Sequence, residues 1–102
     1  MKKLNLSTIE EIITNLERDA ALSGYRLKTK IVEPPRIILD VVAVLQFSNV
    51  FETVTISLLG EYDDDFVMII MFKDEDLQTR TTMFRTLDNL TGEEFFPRLM
   101  AA

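Results

Sequence analysis

The sequence predicts an α+β domain: an N-terminal helix, a four-stranded antiparallel meander sheet, then one long and one short C-terminal helix, in the order α-β-β-β-β-α-α. Three observations carry this. Residues 9 to 20 place apolar side chains at helical spacing. Residues 25 to 59 are rich in apolar–polar alternation. Phe66-Val-Met-Ile-Ile-Met-Phe72 is an unbroken apolar run, fenced by Asp63-Asp64-Asp65 and Lys73-Asp74-Glu75-Asp76. A short apolar run bounded by charge is the pattern of a strand buried on both faces. With no internal repeat, linker or low-complexity segment, residues 1–102 form one domain.

The first helix is expected from Thr8 to Leu22. Ser7-Thr8-Ile9-Glu10 has the form of a capping box. Ile9, Ile12, Ile13, Leu16 and Ala20 make the apolar stripe, and Glu10, Glu11, Asn15, Glu17, Arg18 and Asp19 the polar one. Gly24 suits a left-handed helix end. Tyr25 to Val32 then alternates, with Tyr25, Leu27, Thr29 and Ile31 on one face and Arg26, Lys28 and Lys30 on the other. Lysines in such a row discourage edge-to-edge pairing. Pro34-Pro35 ends the strand, because proline has no N–H to give to a ladder.

Arg36 to Phe47 is the second strand. Ile37, Leu39, Val41, Ala43, Leu45 and Phe47 share one face; Ile38, Asp40, Val42, Val44 and Gln46 share the other. Ser48-Asn49 is turn chemistry. In the third strand, Phe51 to Leu59, Val54, Ile56 and Leu58 oppose Thr53, Thr55 and Ser57. In the fourth, Phe66, Met68, Ile70 and Phe72 point one way and Val67, Ile69 and Met71 the other. Asp74 or Asp76 then caps a second helix carrying Leu77, Met83, Phe84, Leu87 and Leu90, closed by Gly92. Thr91-Gly92-Glu93-Glu94 offers a second capping box, leading into an apolar tail of Phe95, Phe96, Leu99 and Met100.

Composition narrows the chemistry. The chain has no cysteine and no histidine. That removes thiol nucleophiles, disulfides, the commonest general base and the commonest metal ligand. No serine-centred nucleophile motif and no glycine-rich phosphate loop is present. The expectation is a non-catalytic protein with no cofactor and no metal. A net charge of −6 disfavours nucleic acid and anionic membrane as partners and favours a basic protein. Met1-Lys2-Lys3 leads directly into a polar segment and a charged helix, with no signal-peptide core, so a cytoplasmic location is expected.

Two acidic clusters flank the fourth strand, but its ends lie roughly 20 Å apart, too far to share one metal ion. They suit a solvated turn and a helix start, or a patch that steers a basic partner. Asp40, the one acid inside an apolar strand run, is expected to pair across strands with Arg26, Lys28 or Lys30.

The strongest functional clue is surplus apolar surface. Two helices cover one face of such a sheet, which leaves Ile38, Val42, Val44 and one parity of Phe66 to Phe72 on the second. Either the C-terminal segment wraps that face or another chain does. The candidate protein-binding residues are therefore Ile38, Val42, Val44, Asp63, Asp64, Asp65, Phe95 and Phe96. In size, acidity and element mix the chain resembles small secretion chaperones, immunity proteins and phage-encoded inhibitors, at the level of class alone. The expected function is a small acidic protein-binding module that self-associates through a sheet face as a homodimer or larger homo-oligomer. The alternative is an assembly subunit that packs against copies of itself.

Overall fold

The computed structural model describes residues 2–73, 76–90 and 96–101. Helix α1 (Leu6–Leu22) precedes strands β1 (Arg26–Val32), β2 (Asp40–Ser48), β3 (Thr53–Gly60), β4 (Phe66–Lys73) and β5 (Asp76–Thr86). Two short helical segments follow, α2 (Leu87–Leu90) and α3 (Phe96–Ala101). The five strands form one antiparallel sheet in sequential order, β1-β2-β3-β4-β5. The α+β class and the meander therefore hold, with a fifth strand and one long helix instead of two.

Helix α1 starts two residues earlier than expected, and its cap is Asn5, not Ser7. The Thr8 amide donates to Asn5 Oδ1 at 3.0 Å, and the Asn5 amide donates to Thr8 Oγ1 at 2.9 Å. Each side chain satisfies a donor that the first turn leaves free. The apolar stripe is as expected: Ile9, Ile12, Ile13, Leu16 and Ala20 are all buried. At the other end, the Gly24 amide donates to Ala21 and the Tyr25 amide to Ala20. This 5→2 and 6→1 pair closes the helix around Gly24 at φ +85°.

The correction at β5 has a physical reason. The stripe that suggested a helix, Leu77, Met83, Phe84, Leu87 and Leu90, is broken by polar Arg80 and Thr81, the positions one turn on from Leu77. Threonines 79, 81, 82 and 86 fill the segment, and β-branched residues suit a pleated surface better than a helix. Pairing β5 to β4 also satisfies the second edge of the most apolar strand. Helical structure begins only at Leu87. The proposed caps at Asp74 and at Thr91 to Glu94 lie outside the described residues.

One face of the sheet carries the core. Leu45, Phe47, Val54, Ile56, Leu58, Val67, Ile69 and Met71 are buried there with the α1 stripe, Leu4, Leu87, Leu90, Phe96 and Leu99. The α3 residue Phe96 packs edge-on against Tyr25, at 5.3 Å between ring centroids, and against Phe47, at 5.5 Å. Phe96 was expected on a partner surface; it is fully buried in the chain's own core.

Candidate interaction surface

Period-two alternation puts the remaining strand residues on the opposite face. Paired positions define its rows. Val41, Leu59, Met68 and Phe84 lie side by side across β2 to β5. The next row is Ile31, Val44, Ser57, Ile70 and Thr82, and the one after it Thr29, Gln46, Thr55, Phe72 and Arg80. Phe66 pairs with Thr86 at one end, and Arg26, Ser48 and Thr53 align at the other. Ile31 and Phe84 are 62% and 61% exposed, and Val41 and Phe66 are also exposed. Among the described residues, all three helical segments put their buried apolar side chains in the cluster on the other face, Ile9, Ile12, Ile13, Leu16 and Ala20 from α1, Leu87 and Leu90 from α2, and Phe96 and Leu99 from α3.

Two bulges decide which side chains reach this face. Between Val41 and Ala43 the β2–β3 register shifts by one residue. The extra residue resets the alternation, so Val41 joins the open face and Val42 is buried, 2% exposed, beside Ala43. Val42 is thus a core residue rather than a partner contact. A similar shift between Leu27 and Thr29 breaks the parity expected for β1. Ile31 consequently pairs with Val44 on the open face, while Lys30 Nζ donates to Glu17 Oε1 of α1 at 3.1 Å.

The other candidates separate clearly. Val44 lies on the open face, half-buried by its neighbours. Ile38 is exposed, but in the loop before β2, because the strand begins at Asp40 rather than Arg36. Phe95 lies outside the described residues. Asp63, Asp64 and Asp65 form the β3–β4 connection, with Asp63 at φ +66°. Three long-range backbone hydrogen bonds hold this turn: Asp64 accepts from the Leu4 amide at 2.7 Å, the Asp63 amide donates to Leu4 at 2.9 Å, and Asp65 accepts from the Leu87 amide at 2.8 Å. The turn thereby ties Leu4 and Leu87 to the sheet, with Asp63 exposed and Asp64 and Asp65 half-buried. Asp40 pairs with Arg36 at 2.8 Å instead of reaching across to β1.

The sequence reading missed Ile31, Val41, Leu59 and Phe84. Leu59 was legible, since it follows Thr55 and Ser57 on the same parity. Ile31 and Val41 were hidden by the bulges, and Phe84 by its assignment to a helix. On the open face Phe84 and Phe66 lie diagonally across β4 and β5, ring centroids 6.4 Å apart, beside a shallow hollow lined by Asp65, Arg85 and Thr86. A groove of about 590 Å³ at the far end of the molecule is lined by Ser23, Gly24, Arg26 and the β2–β3 turn. In that turn Asn49 Oδ1 accepts from the Phe51 and Glu52 amides and holds Val50 and Phe51 out in solvent.

Among known proteins, the chain matches no family model, no curated protein and no solved structure. Among the described residues, no three acidic side chains converge as a metal-binding group, and no helix is long and apolar enough to cross a membrane. What the described surface presents is shape and apolar area: a twisted sheet face with aliphatic and aromatic side chains at its centre and threonines between them.

Proposed function

We propose that this protein is a non-catalytic, protein-binding module whose working surface is the open face of the sheet. One observation carries the reading: Ile31, Val41, Val44, Leu59, Phe66, Met68, Ile70, Phe72 and Phe84 form one contiguous apolar layer on that face. Fully burying an exposed side chain of this kind provides about 1.5–3 kcal/mol, so a partner gains most at Ile31 and Phe84 and less at the half-buried Val44, Leu59, Met68, Ile70 and Phe72. Phe66 and Phe84 are the expected anchors, since aromatic side chains dominate contact energetics. The acidic β3–β4 turn at the rim would steer a partner's basic groups. An inhibitor, immunity or chaperone-like role acts through such complementarity, without nucleic acid or membrane. A cysteine-free chain is consistent with action in the cytoplasm.

The test is comparative capture from cells of the native host, using the wild type and Phe84→Arg. The expected result is a stoichiometric protein bound by the wild type and lost in a folded Phe84→Arg variant. Equal capture by both would move the working surface elsewhere. The second reading, an assembly subunit packing on copies of itself, rests on the same apolar layer.

A further inference from the structure

We infer that the outer edge of β5 is a strand-pairing site, and that its occupant is β5 of a second copy, paired antiparallel about a two-fold axis at Met83 perpendicular to the sheet. The inference concerns backbone groups at the rim of the sheet, so it is independent of what covers the open face.

The ladder decides which groups are available. In an antiparallel pair, residues alternate between those that bond to the neighbouring strand and those that turn away from it. The Leu87 amide donates to Asp65 at 2.8 Å, one step beyond the Thr86–Phe66 pair. Counting back by twos, Arg85, Met83 and Thr81 bond to β4, while Thr86, Phe84, Thr82 and Arg80 turn their N–H and C=O groups outward. All four outward residues are exposed, and no described residue bonds to their outward groups. Strand β5 is last in the sheet order and follows β4 from Arg80 to Thr86 without a bulge. Its rim is therefore a regular row of donors and acceptors, repeating about every 6.8 Å.

The two rims of the sheet are not alike. Strand β1 has a bulge between Leu27 and Thr29, carries Arg26, Lys28 and Lys30, and is followed by Pro34-Pro35. Bulges, lysines and prolines are what keep an edge from accepting another strand. In β5 the charges are Arg80 and Arg85 within this stretch, and the run between them, Thr81-Thr82-Met83-Phe84, is uncharged. Threonine and phenylalanine also favour the extended conformation.

Register selects the copy. A two-fold axis at Met83 sets Arg80 opposite Thr86 of the second copy, and Thr82 opposite Phe84. Outward groups then meet outward groups at all four residues of each chain. Thr81 faces Arg85, so no charge faces a like charge, and Phe84 beside threonine is a favourable cross-strand pair. The ladder stops where the chain allows it: beyond Thr86 the backbone turns into α2, and Leu87 and Leu90 enter the core. Pairing of β5 with β5 is also closed. It consumes both bare rims and leaves the guarded β1 at each end of one continuous sheet. An unrelated chain would have to bring a bare rim of its own at the same parity. The contact is narrow, residues 80 to 86 of each copy, so the dimer belongs with weak complexes of small buried area, dissociating on the order of micromolar.

The experiment is sedimentation equilibrium from about 1 to about 300 μM, beside amide hydrogen exchange read residue by residue. The wild type is expected to dimerise across this range. Exchange of the Thr82 and Phe84 amides should slow at least about tenfold from the dilute to the concentrated protein, while Thr81 and Met83 stay protected at both. Thr82→Pro removes an outward N–H and no bond to β4, a position where an edge strand tolerates proline, so it is expected as a folded monomer. A wild type that stays monomeric at about 300 μM overturns the inference, and so does a dimer that Thr82→Pro leaves intact. If Thr82→Pro does not fold, exchange in the wild type decides: Thr82 and Phe84 amides indifferent to concentration overturn the inference, and amides slowed by concentration support it. Loss of this dimer would leave the open face as a surface for another protein, which capture with Phe84→Arg reads separately.

Discussion

Leu4 fills the space that a side chain on Gly60 would need: its Cδ2 atom sits against the position of the missing Cβ. Leu4 is fully buried, and its backbone is bonded to Asp63 and Asp64, so the segment cannot simply step aside. Gly60→Ala is therefore expected to cost about 1–3 kcal/mol through overpacking. Leu4→Ala should cost about 2–5 kcal/mol through lost burial and a cavity. Because one change makes room for the other, the double variant should lose less than the sum. Urea unfolding of the four proteins measures this, and strict additivity would refute the contact.

Gly24 is a different case. Nothing lies within 4 Å of a Cβ placed there, so a substitution meets no steric obstacle. Its φ of +85° is the whole difficulty. Gly24→Ala is expected to cost about 1 kcal/mol, the penalty of a left-handed conformation for a residue with a side chain. In a domain of this size that lowers the melting temperature by about 4–8 °C. Gly24→Asn should lose less, since asparagine tolerates this region.

The contrast between α1 and the β2–β5 region shows what a single sequence reveals. A helix stripe is a local property, and Ile9 to Ala20 spelled out which side of α1 would be buried. The alternation within Phe66 to Phe72 was equally legible, because β4 has no bulge before Phe72 to disturb its parity. The fates of Val42 and Lys30 were not legible, because a one-residue bulge depends on how a neighbouring strand pairs and leaves no local signature. The segment 76–86 failed for a related reason: apolar residues at mixed spacings fit a helix weakly, while the need to satisfy the free edge of β4 is a tertiary demand. Within the candidate surface, Val44 and the β4 residues came from pattern. Val41, Ile31 and Phe84 came only from register.

Asp19 was assigned to the polar side of α1 and is instead 2% exposed. Its Oδ1 accepts from Arg18 Nε at 3.3 Å, and its Oδ2 has no hydrogen-bond partner among the described residues. It also lies close to the C-terminal turn of the helix, where a negative charge opposes the macrodipole. Arg18 is itself largely exposed, so the pair offsets little of the desolvation. Asp19→Ala removes the underbonded carboxylate and introduces the best helix former. The expected outcome is a gain of about 0.5–2 kcal/mol, read as a higher urea midpoint at unchanged slope. A fall in the midpoint would mean that the carboxylate makes a bond outside the described residues.

Two phenylalanines give the sharpest separation between core and surface. Phe96 is fully buried between Tyr25 and Phe47, and Phe84 is 61% exposed on the open face. Phe96→Ala should cost about 3–5 kcal/mol, the range for truncating a buried aromatic ring. Phe84→Ser should change the stability of the isolated chain by no more than about 0.5 kcal/mol, as for most surface substitutions. If copies pack through this face, any added loss in Phe84→Ser should appear only as protein concentration rises, because such association would stabilise the wild type by mass action and the variant would lack it. Melts at low and high micromolar concentration therefore read two properties from one substitution: the gap between wild type and Phe84→Ser should widen with concentration, while that for Phe96→Ala is large at both. A gap for Phe84→Ser that is already several kcal/mol in the dilute protein would show that its ring is structural, and the open face would lose its anchor.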